Sequence, residues 1–292
     1  MTGPHRGTGP RPGRARGAVL GSPIAHSLSP ILHRTAYAGL GLGDWSYDAI
    51  ECAEGDLATL MESLGPEWAG LSLTMPLKRA VLPLLDTVSD LAVEVGGANT
   101  VVFRDGARHG ENTDVYGIVQ TLAEAGVAAP SAATILGGGA TAASALAALR
   151  EMGLAEVTLV VRNASRAGET LDVAERLGVA VAVRTLDGFD RSGVDGDLVI
   201  STLPSGAADG FAHEIAAALP DKGALFDVVY SPWPTALARA VRDRGGAVIG
   251  GFPMLLHQAV KQVELMTGRA DVPVEAMRAA GEAEIARRAA QE

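Results

Sequence analysis

One cysteine, Cys52, is all the thiol chemistry that the 292 residues contain. A lone cysteine builds no internal disulfide framework, so the chain is expected in a reducing compartment, the cytoplasm. Cys52 itself reads as a small buried hydrophobe. Aromatic residues are scarce at 4% while hydrophobic residues reach 48%, so the core must be built from Ala, Val and Leu. Basic charge is also short. With 24 Lys and Arg against 34 Asp and Glu, the net charge is −10, which argues against a nucleic-acid partner. No run is apolar enough to span a membrane, since the richest, 132–149, is interrupted by Gly137, Gly138, Gly139, Thr141 and Ser144. His26 and His33 lack partners at metal-like spacing, so no metal is expected.

What is present is an alternation of short apolar runs and helix-like stretches. Residues 1–16 stand apart, with Arg6, Arg11, Arg14 and Arg16, no acid, and many Gly and Pro. They read as a disordered tail, or as extra residues from an upstream start codon, without the apolar core of a signal peptide. Ala18–Gly21 then reads as a strand. Ser29 and Pro30 form an N-cap and first-position pair for a helix reaching about Tyr37. Ser27 and Ser29 there make either an anion site or an ordinary cap.

A strand over 45–50 and a helix over 54–64 lead to Leu71-Ser72-Leu73-Thr74-Met75-Pro76-Leu77-Lys78, a short apolar run entering a proline-started helix over 76–85. Thr74 has the hydroxyl to cap that helix, and Lys78 falls in its first turn. A cation at that end of the helix dipole is expected to hold its proton less firmly. That suits acid–base work, and a plain surface lysine is the competing reading. A helix over 89–95, the loop 96–100, and a hairpin through Asp105-Gly106 follow. Asp114 is expected to cap a helix over 115–125.

At Ala133 the character changes. Strand 133–136 runs into Gly137-Gly138-Gly139-Ala140-Thr141-Ala142, a G-x-G-x-x-A pattern, then a helix over 140–152 and a strand over 157–161. In that order these elements point to a dinucleotide site, with glycines letting the backbone approach a pyrophosphate at the helix start. About twenty residues past the fingerprint an NAD site expects an acid. This chain has Arg162, Asn163 and Arg166. Guanidiniums suit a 2′-phosphate, hence NADP, or are solvated charges of a helix start. The alternation continues with helix 165–177 and strands over 179–183, 197–200, 224–229 and 247–249. Helices over 210–218, 235–244, 252–266 and 274–290 complete the chain. The expected architecture is α/β with two domains: a substrate-binding domain over 17–114 joined by the helices of 251–292, and a Rossmann NADP-binding domain over 115–250. The last helices pack back on the first domain, and a ligand cleft lies between the two.

Several motifs together resemble the shikimate dehydrogenase family along nearly the whole chain after residue 16. They are Ser27-Leu28-Ser29-Pro30 (S-x-S-P), Thr74-Met75-Pro76-Leu77-Lys78 (T-x-P-x-K), Gly97-Ala98-Asn99-Thr100 and Asn112-Thr113-Asp114. Asp227, Tyr230, Pro232, Thr235 and Leu237 match D-x-x-Y-x-P-x-x-T-x-L, and Gly251, Met254, Leu255, Gln258 and Ala259 match G-x-x-M-L-x-x-Q-A. The resemblance implies reduction of 3-dehydroshikimate to shikimate with NADPH, on the route to aromatic amino acids. It implies that Ser27 and Ser29 hold the substrate carboxylate, and that Thr74, Asn99, Asp114 and Gln258 bind its hydroxyls. Tyr230 would line the same site, and Lys78 and Asp114 would form the catalytic pair. The fingerprint residues and Arg162 would hold NADP, in a cofactor set that also takes in Thr202 and Gly251.

The chain departs from the family in having Ser72 where asparagine is usual, Val115 where glycine is common, and aliphatic residues at 263, 265 and 266. A quinate or aminoshikimate-type substrate, or a non-catalytic NADP-binding regulator, are the alternative readings. A small-molecule substrate is the only partner expected, in a monomer or homodimer.

Overall fold

The computed structural model describes residues 15–127, 129–186, 194 and 196–291; residues 1–14 of the expected tail lie outside the described residues. In chain order the first elements are β1 (Ala15–Gly21), α1 (Ser29–Gly39), β2 (Trp45–Glu51), α2 (Leu57–Glu62), β3 (Trp68–Leu73), α3 (Leu77–Ala80), β4 (Thr87–Val88), α4 (Asp90–Val95), β5 (Thr100–Arg104) and β6 (Ala107–Glu111). They continue with α5 (Asp114–Glu124), β7 (Ala133–Leu136), α6 (Ala140–Glu151), β8 (Glu156–Val161), α7 (Gly168–Leu177), β9 (Ala180–Thr185), β10 (Leu198–Ser201), α8 (Ala212–Ala218), β11 (Ala224–Asp227), α9 (Ala236–Asp243), β12 (Ala247–Ile249), α10 (Phe252–Thr267) and α11 (Val274–Ala289).

The chain is α/β and divides into two compact units. The first holds the described residues up to Ala92, with Gly97–Thr113 and Ala259–Ala290; the second holds Val93–Gly96 and Asp114–Gln258. The division therefore falls inside α10.

The first unit is built on a mixed sheet of order β2-β1-β3-β5-β6-β4. β1 pairs in parallel with β2 and β3, whereas β5 runs antiparallel to both β3 and β6. The β5–β6 hairpin closes as expected through Asp105 and Gly106, both at positive φ. One core gathers Leu20, Cys52, Leu71, Leu73, Leu77 and Val101. Trp68 belongs to the same core, while Tyr37 and Tyr47 are fully covered, with His33 stacked on Tyr47 at 3.9 Å between centroids. The last helices return to this unit, α11 packing on α1 and Met266 of α10 lying against Gly70 of β3.

The second unit is all parallel, in the order β12-β11-β10-β7-β8-β9. Read from β9, this is the 3-2-1-4-5-6 order of a dinucleotide-binding sheet, with the strand order reversing between β7 and β10. Every residue of β7, β10 and β11 is buried. α6 buries an almost continuous Ala/Leu surface, the small-residue core that an aromatic-poor chain requires.

Several expected boundaries move for identifiable reasons. β1 starts at Ala15, two residues inside the expected tail, because Arg16 donates its N–H to Glu67 O (2.9 Å) and lays its guanidinium 4.7 Å over the Trp68 ring. The helix expected over 76–85 is only Leu77–Ala80, followed by a 3-10 turn at Leu82–Leu84; Pro83 has no N–H to continue the α pattern. α1 takes Leu28 as its cap, with Ser29 and Pro30 already inside the helix, and Asp114 is the first residue of α5 rather than the residue before it. The stretch expected as one helix over 165–177 begins with a separate 3-10 turn, Ala164–Arg166.

Candidate active site

In the first unit, strand direction decides what meets. β1 and β3 are parallel and β5 is antiparallel to β3, so the C-terminal ends of β1 and β3 and the start of β5 share one edge of the sheet. The loop 22–28 leaves β1 there, residues 74–78 leave β3 there, and the loop 96–99 enters β5 there. Hydrogen bonds tie the three together. Thr74 N–H donates to Leu20 O (2.9 Å) and Ser22 N–H to Met75 O (3.0 Å), while Leu73 N–H donates to Asn99 O (2.7 Å) and Ala98 N–H to Lys78 O (2.8 Å). Ser27, Ser29, Thr74, Lys78 and Asn99, five of the residues singled out from the sequence, therefore sit on segments braced against one another.

Ser29 is almost fully buried, and its N–H donates to the Ser27 hydroxyl oxygen (3.2 Å). Its carbonyl lies 2.9 Å from His33 Nδ1, which makes Nδ1 the protonated nitrogen of a neutral ring. Burial pushes the His33 pKa down to about 4, against the raising effect of the Ser29 carbonyl. Lys78 is half-buried. The helix expected to polarise it is one turn long, with Pro76 at its cap and no side-chain capping bond from Thr74, so little dipole is left to act on it. The backbone of Lys78 is held through its carbonyl by the loop that carries Asn99.

Asn99 and Asn112 brace that loop from both sides. Asn99 Oδ1 accepts from Thr113 N–H (2.8 Å) and the Thr100 hydroxyl (2.9 Å), and its Nδ2 donates to Thr113 Oγ1 (2.9 Å). Asn112 Nδ2 donates to Gly97 O (2.9 Å). The two Asn-Thr motifs are thus mutual supports, and Asn112 and Thr113 are structural partners that motif matching alone did not assign.

Ser72 is part of a network that the sequence concealed. The Tyr47 hydroxyl donates to Ser72 Oγ (2.5 Å), and Ser72 donates to Gln262 Oε1 (2.7 Å). Gln262 Nε2 then donates to Asn99 O (3.3 Å) and Thr100 Oγ1 (3.0 Å). Tyr47 reaches Ser72 by lying across β1 over Gly17, where a Cβ would stand 2.7 Å from the tyrosine ring. The short reach of Ser72 is made up by a longer side chain from β2.

In the second unit, Asp114 is buried at the start of α5. One turn on, Gly117 lies against the Met254 carbonyl and the backbone of Gln258 in α10, so the helices bearing Asp114 and Gln258 pack together. Gln258 is buried and its Nε2 donates to Leu255 O (2.8 Å). Tyr230 is half-buried in the loop after β11. Asp227 anchors that loop, accepting from the Thr235 hydroxyl (2.7 Å) and Val229 N–H (3.2 Å). Burial pushes the Asp227 pKa up against these bonds. Thr235 also caps α9 by accepting from Ala238 N–H (3.1 Å), as expected for that residue type.

The glycine turn occupies the switch point between β7 and β10. Gly137 has φ +107°, and a Cβ there would meet Thr202 Oγ1 at 2.6 Å, so both backbone and space call for glycine. Thr202 donates its N–H and its hydroxyl to Leu136 O (2.9 and 2.8 Å), bracing the turn. Thr170 of α7 does the same from behind, its hydroxyl donating to Gly138 O (3.0 Å). A Cβ on Gly139, the cap of α6, would meet nothing within 4 Å, and Ala140, Thr141 and Ala142 form the first turn of that helix. An open cap at a helix start fits a pyrophosphate. Past β8, Arg162 and Asn163 are exposed and Asn163 Oδ1 accepts from Ser165 N–H (3.0 Å); Arg166 is described at its backbone only. Gly251 donates its N–H to Val229 O (3.1 Å), and a Cβ there would collide with the Val228 carbonyl, so its demand for glycine comes from packing beside the Tyr230 loop. Among the described residues no group of His, Cys, Asp and Glu could hold a metal ion, and no helix is long and apolar enough to cross a membrane.

Residues 19–101 match the family model of the shikimate dehydrogenase substrate binding domain, and residues 251–280 that of the shikimate 5′-dehydrogenase C-terminal domain. A shikimate dehydrogenase (NADP(+)) of Thermus thermophilus is 37% identical over 260 residues, which cover 87% of this chain and 92% of that protein. The crystal structure of Mycobacterium tuberculosis shikimate dehydrogenase is 43% identical with a TM-score of 0.84, covering 92% of this chain and 99% of that one. A Thermus thermophilus shikimate 5-dehydrogenase in complex with NADP(H) and shikimate is 33% identical with a TM-score of 0.79, covering 92% and 98%. With a substrate-domain motif set braced at one sheet edge, a glycine turn at the switch point of a parallel sheet, and likeness along nearly the full length of these proteins, the chain belongs to the shikimate dehydrogenase family.

Proposed function

We propose that this protein catalyses the reversible NADPH-dependent reduction of 3-dehydroshikimate to shikimate, a step of aromatic amino acid biosynthesis. The observation that carries this reading is the convergence of loop 22–28, residues 74–78 and loop 96–99 at one edge of the first sheet. Serine hydroxyls for a carboxylate, polar groups for ring hydroxyls and a cation for a carbonyl oxygen are what a hydroxylated ring acid requires.

In this reading the donors of Ser27 and Ser29 hold the carboxylate, and Thr74, Asn99 and Gln258 take ring hydroxyls, with Tyr230 lining the site. The residues fit NADP: the Gly137–Gly139 turn and the start of α6 suit the pyrophosphate, and Arg162 with Arg166 suits the 2′-phosphate where an NAD site would place an acid. Bound NADPH supplies the hydride to the ring carbonyl carbon. Lys78 faces the oxygen on which negative charge develops, stabilises it and donates the proton that completes the alcohol. In the reverse direction the neutral amine takes that proton back. Asp114 is the acidic partner in this chemistry and accepts from a substrate hydroxyl. The protein acts in the cytoplasm as a monomer or homodimer.

The nicotinamide absorbance, followed with shikimate or quinate and with NADP⁺ or NAD⁺, tests the reading. Shikimate with NADP⁺ is expected to be the fastest pair. Lys78→Ala is expected to lower kcat on the order of a thousandfold while leaving the KM for NADP⁺ nearly unchanged. Faster turnover of quinate, or NADP⁺ binding without reduction, overturns it.

A further inference from the structure

We infer that Arg288, in the last turn of α11, is a positioning residue for the substrate carboxylate and supplies the positive charge behind its subsite. The inference rests on the reading that Ser27 and Ser29 hold that carboxylate. The loop bearing Ser27 is clamped at two places. Upstream, Glu51 accepts from the Ser22 hydroxyl (2.6 Å) and from Ile24 N–H (3.0 Å). Downstream, Arg288 donates through Nη1 to His26 O (2.7 Å) and through Nη2 to Ser27 O (3.5 Å). The two contacts join residues more than 260 positions apart in sequence. Arg288 lies beyond residues 251–280, where the C-terminal family model matches.

The guanidinium is itself held. Glu284 Oε1 accepts from Arg288 Nε (2.7 Å), and the same carboxylate accepts from Arg287 Nε and Nη2 (2.8 and 2.7 Å). One carboxylate thus holds two guanidiniums at this end of α11. Ser27 Oγ already accepts from Ser29 N–H, so its own hydrogen is left to donate to another acceptor. Arg288 holds the carbonyl of His26, immediately before the residue that makes this donation, and its cation also reaches the carbonyl of Ser27 at 3.5 Å. Carbonyls that engage a cation leave the opposite face of the loop electropositive, which favours an anionic ligand. Glu51 is the opposing charge, and it lies at the upstream clamp, on Ser22 and Ile24. Arg288 is partly exposed, with 29% of its side chain accessible, so water and salt moderate the effect without removing it.

A contact that merely docks α11 on α1 would alter stability and leave ligand preference alone. The two roles separate in the full-length protein with Arg288→Met and Arg288→Lys, assayed for shikimate and NADP⁺ kinetics and for competitive inhibition by the methyl ester of shikimate, which lacks the charge. Arg288→Met is expected to raise the KM for shikimate about tenfold, with kcat, the KM for NADP⁺ and the ester Ki each changed by less than about twofold. Arg288→Lys is expected to recover most of the loss, because it keeps the charge. A shikimate KM within about twofold of wild type, equal weakening of acid and ester, or a lysine variant no better than methionine overturns the inference. If the methionine variant does not fold, the lysine variant decides: a rise of about threefold for the acid but not the ester supports the inference, and no difference between acid and ester overturns it. A wild-type protein that fails to oxidise shikimate overturns both this inference and the reading beneath it.

Discussion

The two units reach their functional surfaces by opposite routes. In the second, an all-parallel sheet carries its candidate site on one local turn. β7, the glycines and α6 are contiguous, and the more distant residues, Thr170 and Thr202, brace that turn through its carbonyls. In the first, a mixed sheet brings together segments that are far apart in sequence. Tyr47, Ser72, Asn99 and Gln262 form one hydrogen-bonded chain, and Ser72 and Gln262 stand 190 residues apart. The lesson is about tolerance. A site on a local turn depends on a few backbone conformations, whereas a site on a network depends on every member being present, because each orphaned polar group costs its desolvation.

The comparison can be broken most strongly by acid. His33 is neutral and buried, its Nε2 has no hydrogen-bond partner among the described residues, and its pKa is lowered from 6.5 to about 4. Well above pH 6.5 neither the folded nor the unfolded state carries the proton. As pH falls toward 4 the unfolded chain gains it and the folded state does not, so the first unit is expected to lose about 3 kcal/mol across that window. Urea unfolding at pH 7.5 and pH 4, for wild type and His33→Leu, measures this. A pH slope unaffected by the substitution would show that His33 is not the group responsible.

A smaller effect is expected in the other unit. Gly137→Ala puts a methyl against Thr202 at a φ that favours glycine. It should raise the KM for NADP⁺ on the order of tenfold while leaving the affinity for shikimate, measured without cofactor, unchanged. Equal losses for both ligands would mean that the turn also supports the substrate side.

A double-variant cycle sharpens the contrast from the network side, and its coupling of about 1 kcal/mol is the smallest effect expected. Ser72→Ala should destabilise the protein by about 1–3 kcal/mol, since it takes a partner from both the buried Tyr47 hydroxyl and Gln262, and Tyr47→Phe by about 1 kcal/mol, since Ser72 keeps its bond to Gln262. The double variant should fall short of their sum by about 1 kcal/mol, because the residues share one bond. Additive losses in a denaturation cycle would dissolve the proposed chain from Tyr47 to Asn99.

How legible each unit was in the sequence follows from the same contrast. β7 and β12 lie where apolar run length put them, and the Asp105-Gly106 hairpin and the Thr235 cap follow from turn and cap chemistry that acts over a few residues. The helix expected after Pro76 falls short because Pro83 ends the α pattern early. With it goes the idea that a helix dipole prepares Lys78. Ser72 reads as a weakness in the sequence because its partners are a tyrosine on β2 and a glutamine on α10, and neither carries a motif that marks it as a neighbour.

What the sequence by itself determined is the parallel unit and the glycine turn that it carries. Strand, glycine turn and helix interact over short separations, and short separations are encoded in order. What only the tertiary structure decided is the support of the substrate side. Which carbonyl holds Lys78, what completes Ser72 and what grips the Ser27 loop from α11 depend on strand direction and on a returning helix. Those pairings are chosen by packing, since a hydrogen bond between residues hundreds of positions apart leaves no local trace in either segment.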